Sequence, residues 1–422
     1  MKELAFFLCL FTAFQANTQS KVDSLKNLIE STSEIDAKMR VRLAYIKELS
    51  LINSGKALVE AQKLEDELSG EKPELLAATY YFIGDLYTSR SVYDSAKIYC
   101  EKALSLAREV EDQMLISNTL ITLGVIHDYL GILDDALEYY FQALKIKTSI
   151  GDKSGVADIH NNIAILYNFQ GNYQKAIEYF TNSLKTREEL NDESGMAASY
   201  NNIGLVYMRL DQFEKSLEYQ KKSLALKEKL EDKSGMTTSY NNMGIIYFRQ
   251  GMIERATVYY EKALKIQKEI GFIADMAATH LNIGEAFMLL DNFDKANYHL
   301  QTAYELAIQS SNKDDLRLIY QILAELKAKT NDYKLAYEYH QKYASLNDSI
   351  FNTESANRMA EMEARFELEK KEKEIELLQQ EKLIQEIQTE NEIFNRNVFL
   401  IGFLIISVLV FAVIRAYRKI QH

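Results

Sequence analysis

Five glycines, Gly84, Gly124, Gly204, Gly244 and Gly284, fall in one register of 40 residues, and Ala164 and Ala324 fill the remaining places of the series. A small residue returning at a fixed interval of this size specifies a solenoid. Each unit is one supersecondary element that cannot bury its apolar face alone, and stacking the units builds a continuous core. A chain built this way works through a long repeated surface and seldom through a catalytic pocket.

Aligning the units on that position fills further columns. Four residues before it stand Tyr80, Leu120, His160, Tyr200, Tyr240 and His280; three after it stand Tyr87, His127, Tyr167, Tyr207, Tyr247 and Phe287. Twelve after it comes a second small residue, Ala96, Ala136, Ala176, Ser216, Ala256, Ala296 and Ala336, and four further on a mostly bulky one such as Tyr140, Phe180, Tyr260 or Leu300. At about 100° per residue, positions −4, −1, 0 and +3 around the small residue share one arc of a helix. That arc packs on the second helix of the unit, and the small columns let the two backbones approach. The run Tyr200-Asn201-Asn202-Ile203-Gly204-Leu205-Val206-Tyr207 carries the pattern most fully. It resembles the tetratricopeptide repeat, in which an aromatic, Leu-Gly, Tyr, and then Ala and Phe recur. Tyr takes the place of the usual Trp in a chain that has none. HEAT-type repeats share a period of roughly 40 residues but lack this register.

The resemblance spans roughly residues 36–348 and implies an all-α solenoid of about seven to eight repeats, with residues 21–35 as an N-terminal capping helix. A degenerate unit with Ala57 and Ala61 on its second helix precedes the clear ones. Repeats of this family run about 34 residues. The expectation is that the second helix of each unit runs on by more than a turn, then breaks at Gly151-Asp152-Lys153-Ser154-Gly155 or Asn191-Asp192-Glu193-Ser194-Gly195. Ser154, Ser194 and Ser234 are expected to cap the helix that follows.

Two terminal segments set the compartment. Leu4–Phe14 is an apolar run behind Met1-Lys2-Glu3, and residues 1–20 read as a secretory signal peptide, the alternative being a buried first helix. Val398–Ile414 holds nothing more polar than Ser407 and Gly402. As a helix it rises roughly 25 Å, so residues 397–416 are expected to span a membrane with their flanks. The alternative is a C-terminal core helix. Arg415, Arg418 and Lys419 follow at once, which puts the tail, residues 417–422, in the cytoplasm and the repeats outside it. Residues 354–395 are rich in Glu, Lys, Gln and Leu, and Phe366, Leu377, Ile384, Ile387 and Phe394 fit a heptad seam interrupted by Lys370, Lys373, Gln380 and Asn391. This stalk reads as a coiled coil that would make a homodimer, or as a single solvated helix.

Composition argues against several classes of function. A net charge of −12 without a clustered basic face excludes nucleic acid as a partner. His127, His160, His280 and His340 sit in core columns, no pair has metal-ligand spacing, and Asp134-Asp135 and Asp314-Asp315 read as solvated helix faces. No metal, cofactor or catalytic residue is expected. With the leader removed, Cys100 is the one cysteine, and its bulky core column makes it inert.

The opposite arc of each first helix carries the functional reading. Columns −2, +1 and +5 lie at roughly 160°, 100° and 140°, away from the core arc. Column −2 reads Phe82, Thr122, Asn162, Asn202, Asn242, Asn282, and column −3 adds Asn161, Asn201 and Asn241. Column +1 gives Ile165, Leu205, Ile245 and Glu285, and column +5 gives Phe169, Arg209, Arg249 and Leu289. A carboxamide ladder offers both a donor and an acceptor to an extended peptide, and Arg209 with Arg249 could hold a carboxylate. The competing reading is that Asn bridges adjacent repeats. The Lys of the family's carboxylate clamp is missing.

The order of leader, repeats, Glu/Lys-rich stalk and membrane helix resembles the exoplasmic sensor half of membrane signalling proteins of Bacteroidetes-type bacteria. The carrying residues are Lys342-Tyr343-Ala344-Ser345-Leu346-Asn347-Asp348-Ser349-Ile350-Phe351 and Glu369-Lys370-Lys371-Glu372-Lys373-Glu374-Ile375-Glu376-Leu377-Leu378. There a histidine kinase or helix-turn-helix domain follows the membrane helix, whereas here eight residues follow Ile414. The expectation is a single-pass inner-membrane scaffold displaying a peptide-binding groove. The alternative is the input subunit of a signalling system whose cytoplasmic output is a separate partner or has been lost.

Overall fold

The computed structural model describes residues 18–68 and 72–349, with Lys382, Arg396 and Asn397. The leader up to residue 17, nearly all of the stalk and of 397–416, and the tail lie outside the described residues. Among those described, no helix is long and apolar enough to cross a membrane.

Helix α1 (Thr18–Ser31) stands ahead of eight helix pairs. These are α2 (Ile35–Ser50) with α3 (Ser54–Leu68), α4 (Pro73–Ser89) with α5 (Tyr93–Glu109), and α6 (Gln113–Tyr129) with α7 (Leu133–Ser149). They continue with α8 (Lys153–Phe169) and α9 (Tyr173–Glu189), α10 (Glu193–Arg209) and α11 (Phe213–Lys229), and α12 (Lys233–Arg249) and α13 (Ile253–Ile270). Last come α14 (Ile273–Leu289) with α15 (Phe293–Ser310), and α16 (Lys313–Lys329) with α17 (333–349). The repeats through Ala344 form one compact unit.

The small-residue register explains why each pair closes. A Cβ on Gly124 would lie 2.5 Å from the Tyr140 ring, one on Gly244 2.4 Å from Tyr260, and one on Gly284 2.7 Å from Leu300. At Gly84 the facing atom is the Cys100 thiol, and at Gly204 the Gln220 carboxamide. The partner of each glycine is therefore the bulky residue sixteen positions on. Ala96, Ala136, Ala176, Ala256 and Ala296 are sealed completely at the same interface. Tyr140, Phe180 and Tyr260 are at most 2% exposed, so each contributes the burial of a whole aromatic side chain.

The buried arc of the first helices is wider than the −4 to +3 reading. Position +2, held by Leu86, Ile126, Leu166, Val206 and Ile246, is buried, as is position −5, held by Thr79, Ile159, Ser199 and Thr279. Leu86 clusters with Ile46, Leu64 and Leu68 of the preceding repeat, and Ile126 joins Leu104 and Ala107. A second stripe thus glues repeat to repeat. It turns half of each first helix inward and leaves the other half for solvent or ligand.

The extra length is shared, contrary to the expected long second helix. From α4 through α12 every helix has 17 residues, joined by three-residue turns, so the chain runs on a half-period of 20. Each turn places one residue at positive φ: Ser91, Glu111, Gly131, Gly151, Gly171, Asn191, Asp211, Glu231, Gly251, Gly271, Asp291, Ser311 and Asn331. The left-handed residue lets following N–H groups reach back to the last carbonyls. The N–H of Val92, for instance, donates to the Tyr87 carbonyl at 3.0 Å.

The capping expectation is also corrected. Asp152, Asp192 and Asp232 are the caps, each accepting from the N–H of Gly155, Gly195 or Gly235 at 2.8–2.9 Å. Ser154, Ser194 and Ser234 lie inside the first turn of the helix. Aspartate wins because it does two jobs. Lys147 Nζ donates to Asp152 at 2.7 Å and to Asn118 at 2.6 Å, and Arg187 bridges Asp192 and Asp158, each at 2.6 Å. One buried or half-buried cation from α7 and one from α9 thereby tie the end of one repeat to the start of the next. At the following joint Lys227 Nζ donates to Ser239 at 3.1 Å, and one joint further Gln267 and Phe272 replace the pair, both carboxamide atoms of Gln267 being buried without a partner.

Candidate peptide-binding groove

Contacts that skip a helix show which side of the stack is inner. The substantial ones all join first helices: α2 with α4, α4 with α6, α10 with α12, and α14 with α16. A row whose members touch, beside a row whose members are held apart, is the concave side of a curved stack. The open arc of the first helices lines it.

The carboxamide columns meet there. Asn202 Nδ2 donates to Asn161 Oδ1 at 3.0 Å, and Asn242 Nδ2 donates to Asn201 Oδ1 at 2.9 Å, each across a repeat boundary. Asn201 Nδ2 donates to Asn202 Oδ1 at 3.2 Å, and Asn241 Nδ2 donates to Thr279 Oγ1 at 3.0 Å. The ladder therefore links α8, α10 and α12 continuously, and a separate bond from Asn241 joins α12 to α14. Asn162 and Asn282 sit half-buried in the same column and take no part in it. Asn bridging is thus realised in the central rungs. It leaves Asn202 and Asn242 with one N–H each outside the ladder, in a fixed orientation.

The two arginines stand elsewhere. Arg249 donates to the Met208 carbonyl at 3.0 Å and to Asp211 Oδ1 at 2.8 Å, and its guanidinium lies over the Phe213 ring at 5.7 Å. These partners belong to the turn between α10 and α11, so Arg249 is a clasp on the groove's edge and not a free anchor within it. Arg209 occupies the equivalent place one repeat earlier, where Gly171 replaces the Asp211 carboxylate, and it is exposed. A helical wheel puts column +5 on the open arc, but the turn of the preceding repeat reaches up to cover it.

Between the carboxamides the groove is aliphatic at its centre and acidic at its ends. Ile165, Leu205, Met208, Ile245 and Phe248 are half-buried. Partial loss of hydration pushes the carboxyl of Asp85 above the usual range. Burial, and then the neighbouring Glu325, does the same to Glu285. Cys100 is fully buried, and desolvation pushes its thiol up to about 12. His280 and His299 approach Nδ1 to Nδ1 at 3.0 Å between α14 and α15, and burial, then His299, lowers His280 to about 4. Among the described residues no group of three His, Cys, Asp or Glu is arranged to hold a metal ion.

This architecture is that of a tetratricopeptide-like solenoid, and the central part of the sequence matches the repeat. The family model for the tetratricopeptide repeat matches residues 75–149, 133–189, 155–229 and 195–269. No curated protein matches the sequence. Among solved structures, the apo quorum sensor NprR from B. thuringiensis shares 16% identity, with 80% of this chain and 96% of that one covered and a TM-score of 0.62. Aspartyl phosphate phosphatase F from Bacillus subtilis shares 17%, with 82% and 92% covered and a TM-score of 0.56. A Rap protein complexed with competence and sporulation factor shares 16%, with 79% and 94% covered and a TM-score of 0.54. At these identities the likeness is one of fold.

Proposed function

We propose that this chain is a non-enzymatic scaffold that binds an extended peptide or protein segment along the inner face of its first helices. The observation that carries the reading is the oriented carboxamide row. Asn202 and Asn242 are held from behind by Asn161 and Asn201, with Leu205 and Ile245 half-exposed beside them. Fixed amides alternating with apolar side chains suit an extended backbone, because little side-chain freedom is lost on binding. A structural relative is described in complex with a factor, and another as a quorum sensor, which agrees with this use of the fold. The apolar run Val398–Ile414 and the basic residues after it support an inner-membrane anchor at 397–416, with the groove outside the cytoplasm. The same layout supports a second reading, in which the groove is the input of a signalling system with a separate cytoplasmic partner.

The test is crosslinking in the membrane followed by capture, comparing wild type with Asn202→Ala/Asn242→Ala at matched folded amounts. Loss of captured exoplasmic polypeptides in the double variant supports the groove, and an unchanged set of partners sinks it. A kinase or regulator captured through the membrane segment would favour the second reading.

A further inference from the structure

At the N-terminal end of the groove a cleft of about 310 Å³ opens where the turn after α4 meets the open side of α6. Its walls include Asp85 in column +1, Ser89 and Ser91 of the turn, and Tyr93 and Tyr129. The two tyrosine rings stack at 5.4 Å with 15° between their planes, and Tyr129 is 68% exposed, so a broad π face borders the opening. Asp85 takes part in no ion pair or hydrogen bond among the described residues, and no cation offsets its loss of hydration. An unneutralised carboxylate beside an aromatic face, with hydroxyls around it, complements a planar cation: the carboxylate and hydroxyls accept its N–H groups and the ring takes its flat face.

The chain itself contains a related contact between a planar cation, a ring and a carboxylate. Three repeats on, Arg249 holds the position equivalent to Tyr129, lies over Phe213 in the position equivalent to Tyr93, and donates to Asp211. The edge of the solenoid therefore accommodates a guanidinium between a ring and a carboxylate. At the first clear repeat Tyr129 takes the arginine's place over Tyr93 and Ser91 takes that of Asp211, so the carboxylate beside the aromatic face is Asp85, from the column where the later repeat has Leu205, and the chain supplies no cation to it.

We propose that the cleft walled by Asp85, Tyr93 and Tyr129 receives the guanidinium or ammonium group of an arginine or lysine side chain in a peptide lying in the groove. This deepens the groove reading and rests on it. The acidic rim selects a basic anchor, where the two arginines of column +5 had suggested an acidic one. A basic residue at one end of the ligand would fix its register against the carboxamide row.

The probe is N-acetyl-L-arginine amide, with its uncharged isostere N-acetyl-L-citrulline amide, titrated against the full chain by saturation-transfer NMR. The arginine probe is expected to bind roughly tenfold more tightly than citrulline, and Asp85→Asn is expected to erase the difference. Asp85 is exposed, so Asp85→Asn should keep the wild-type melting curve, and Tyr129→Leu supplies an independent loss of the aromatic face. Equal binding of the two probes, or a preference that survives Asp85→Asn, overturns the proposal. A second pair of probes, Ac-Arg-(Leu-Ala-Gly)4-Leu-Ala-amide and its citrulline analogue, long enough when extended to run from α4 to α12, separates the cleft from the groove. If both long peptides bind no better than the single amino acids and ignore Asn242→Ala, the groove reading fails, while the arginine preference of the cleft is judged on the first pair.

Discussion

Replacing Gly244 by alanine tests the claim that the small-residue register sets the closeness of each helix pair. The new Cβ would sit 2.4 Å from Cε1, 2.5 Å from Cδ1 and 3.0 Å from Cζ of Tyr260. Carbon atoms in contact prefer about 3.5–4.0 Å, so the ring must retreat by roughly 1 Å or more. Tyr260 is 2% exposed, in an interior that yields little, and overpacking of this kind costs about 1–3 kcal/mol. Against that, alanine gains about 1 kcal/mol over glycine within a helix. The net expectation is a loss of up to about 2 kcal/mol, obtained by difference from those two terms. Gly55 is the control: a Cβ there meets only the Arg90 and Asn53 side chains, at 3.3 and 3.4 Å, so Gly55→Ala should stabilise by about 0.5–1 kcal/mol. Urea unfolding followed by circular dichroism reads the two signs, and amide hydrogen exchange should locate the Gly244→Ala loss in α12 and α13. Tyr260→Val removes the ring atoms that clash, so a double-mutant cycle should show a coupling of about 1–3 kcal/mol. A Gly244→Ala variant stabilised as much as Gly55→Ala, with no coupling to position 260, would refute the reasoning.

Other expectations follow from single sites. Glu231 holds a left-handed backbone with φ of 55°, where Gly251 serves one half-period later, so Glu231→Gly should raise stability by about 1 kcal/mol and Gly251→Ala should lower it by a similar amount, both read from urea midpoints. His280 is held neutral, with its pKa lowered to about 4 from an ordinary 6.5. Between those values the unfolded chain binds a proton that the folded chain refuses, so this contribution is complete above pH 6.5 and is lost as pH falls toward 4. His280→Phe should flatten the stability profile in that window, and an unchanged slope would contradict the assignment. Arg249→Ala should loosen the α10–α12 edge without altering partner capture, since Arg249 is spent on Met208 and Asp211. Parallel loss of capture and stability would return it to the ligand.

Much of the fold was legible because its constraint is local and repeated. Gly84 through Gly284 name the tight interface, and their partners sixteen residues later follow from antiparallel pairing. The half-period of 20 was hidden because the left-handed place is held by Ser, Glu, Asn and Asp more often than by Gly. Aspartate caps were hidden behind serines two residues later, and only the three-dimensional meeting of Lys147 and Arg187 with Asp152 and Asp192 explains the choice. The core tyrosines fifteen residues after each small position, such as Tyr179, Tyr219 and Tyr259, stack on Tyr167, Tyr207 and Tyr247 at 5.1–5.6 Å. A motif scan aligned on glycine passes over them. At the groove, the Asn columns stood out by composition, whereas their cross-repeat bonding and the removal of Arg249 to the edge depend on how one repeat rotates against the next. Asp85 stood out least, since an acid at either end of a column of aliphatics, Asp85 and Glu285, carries no sequence signal.

The central claim is that polypeptide ligands lie against the first helices. Placing the photo-crosslinker p-benzoylphenylalanine at Leu205, on the inner face, and in a separate chain at Glu218, exposed on the second helix, tests it in intact cells. The account predicts crosslinked polypeptide adducts from position 205, competed by the long arginine-bearing peptide, and none from position 218. Adducts from 218 alone, or equal adducts from both, would contradict it.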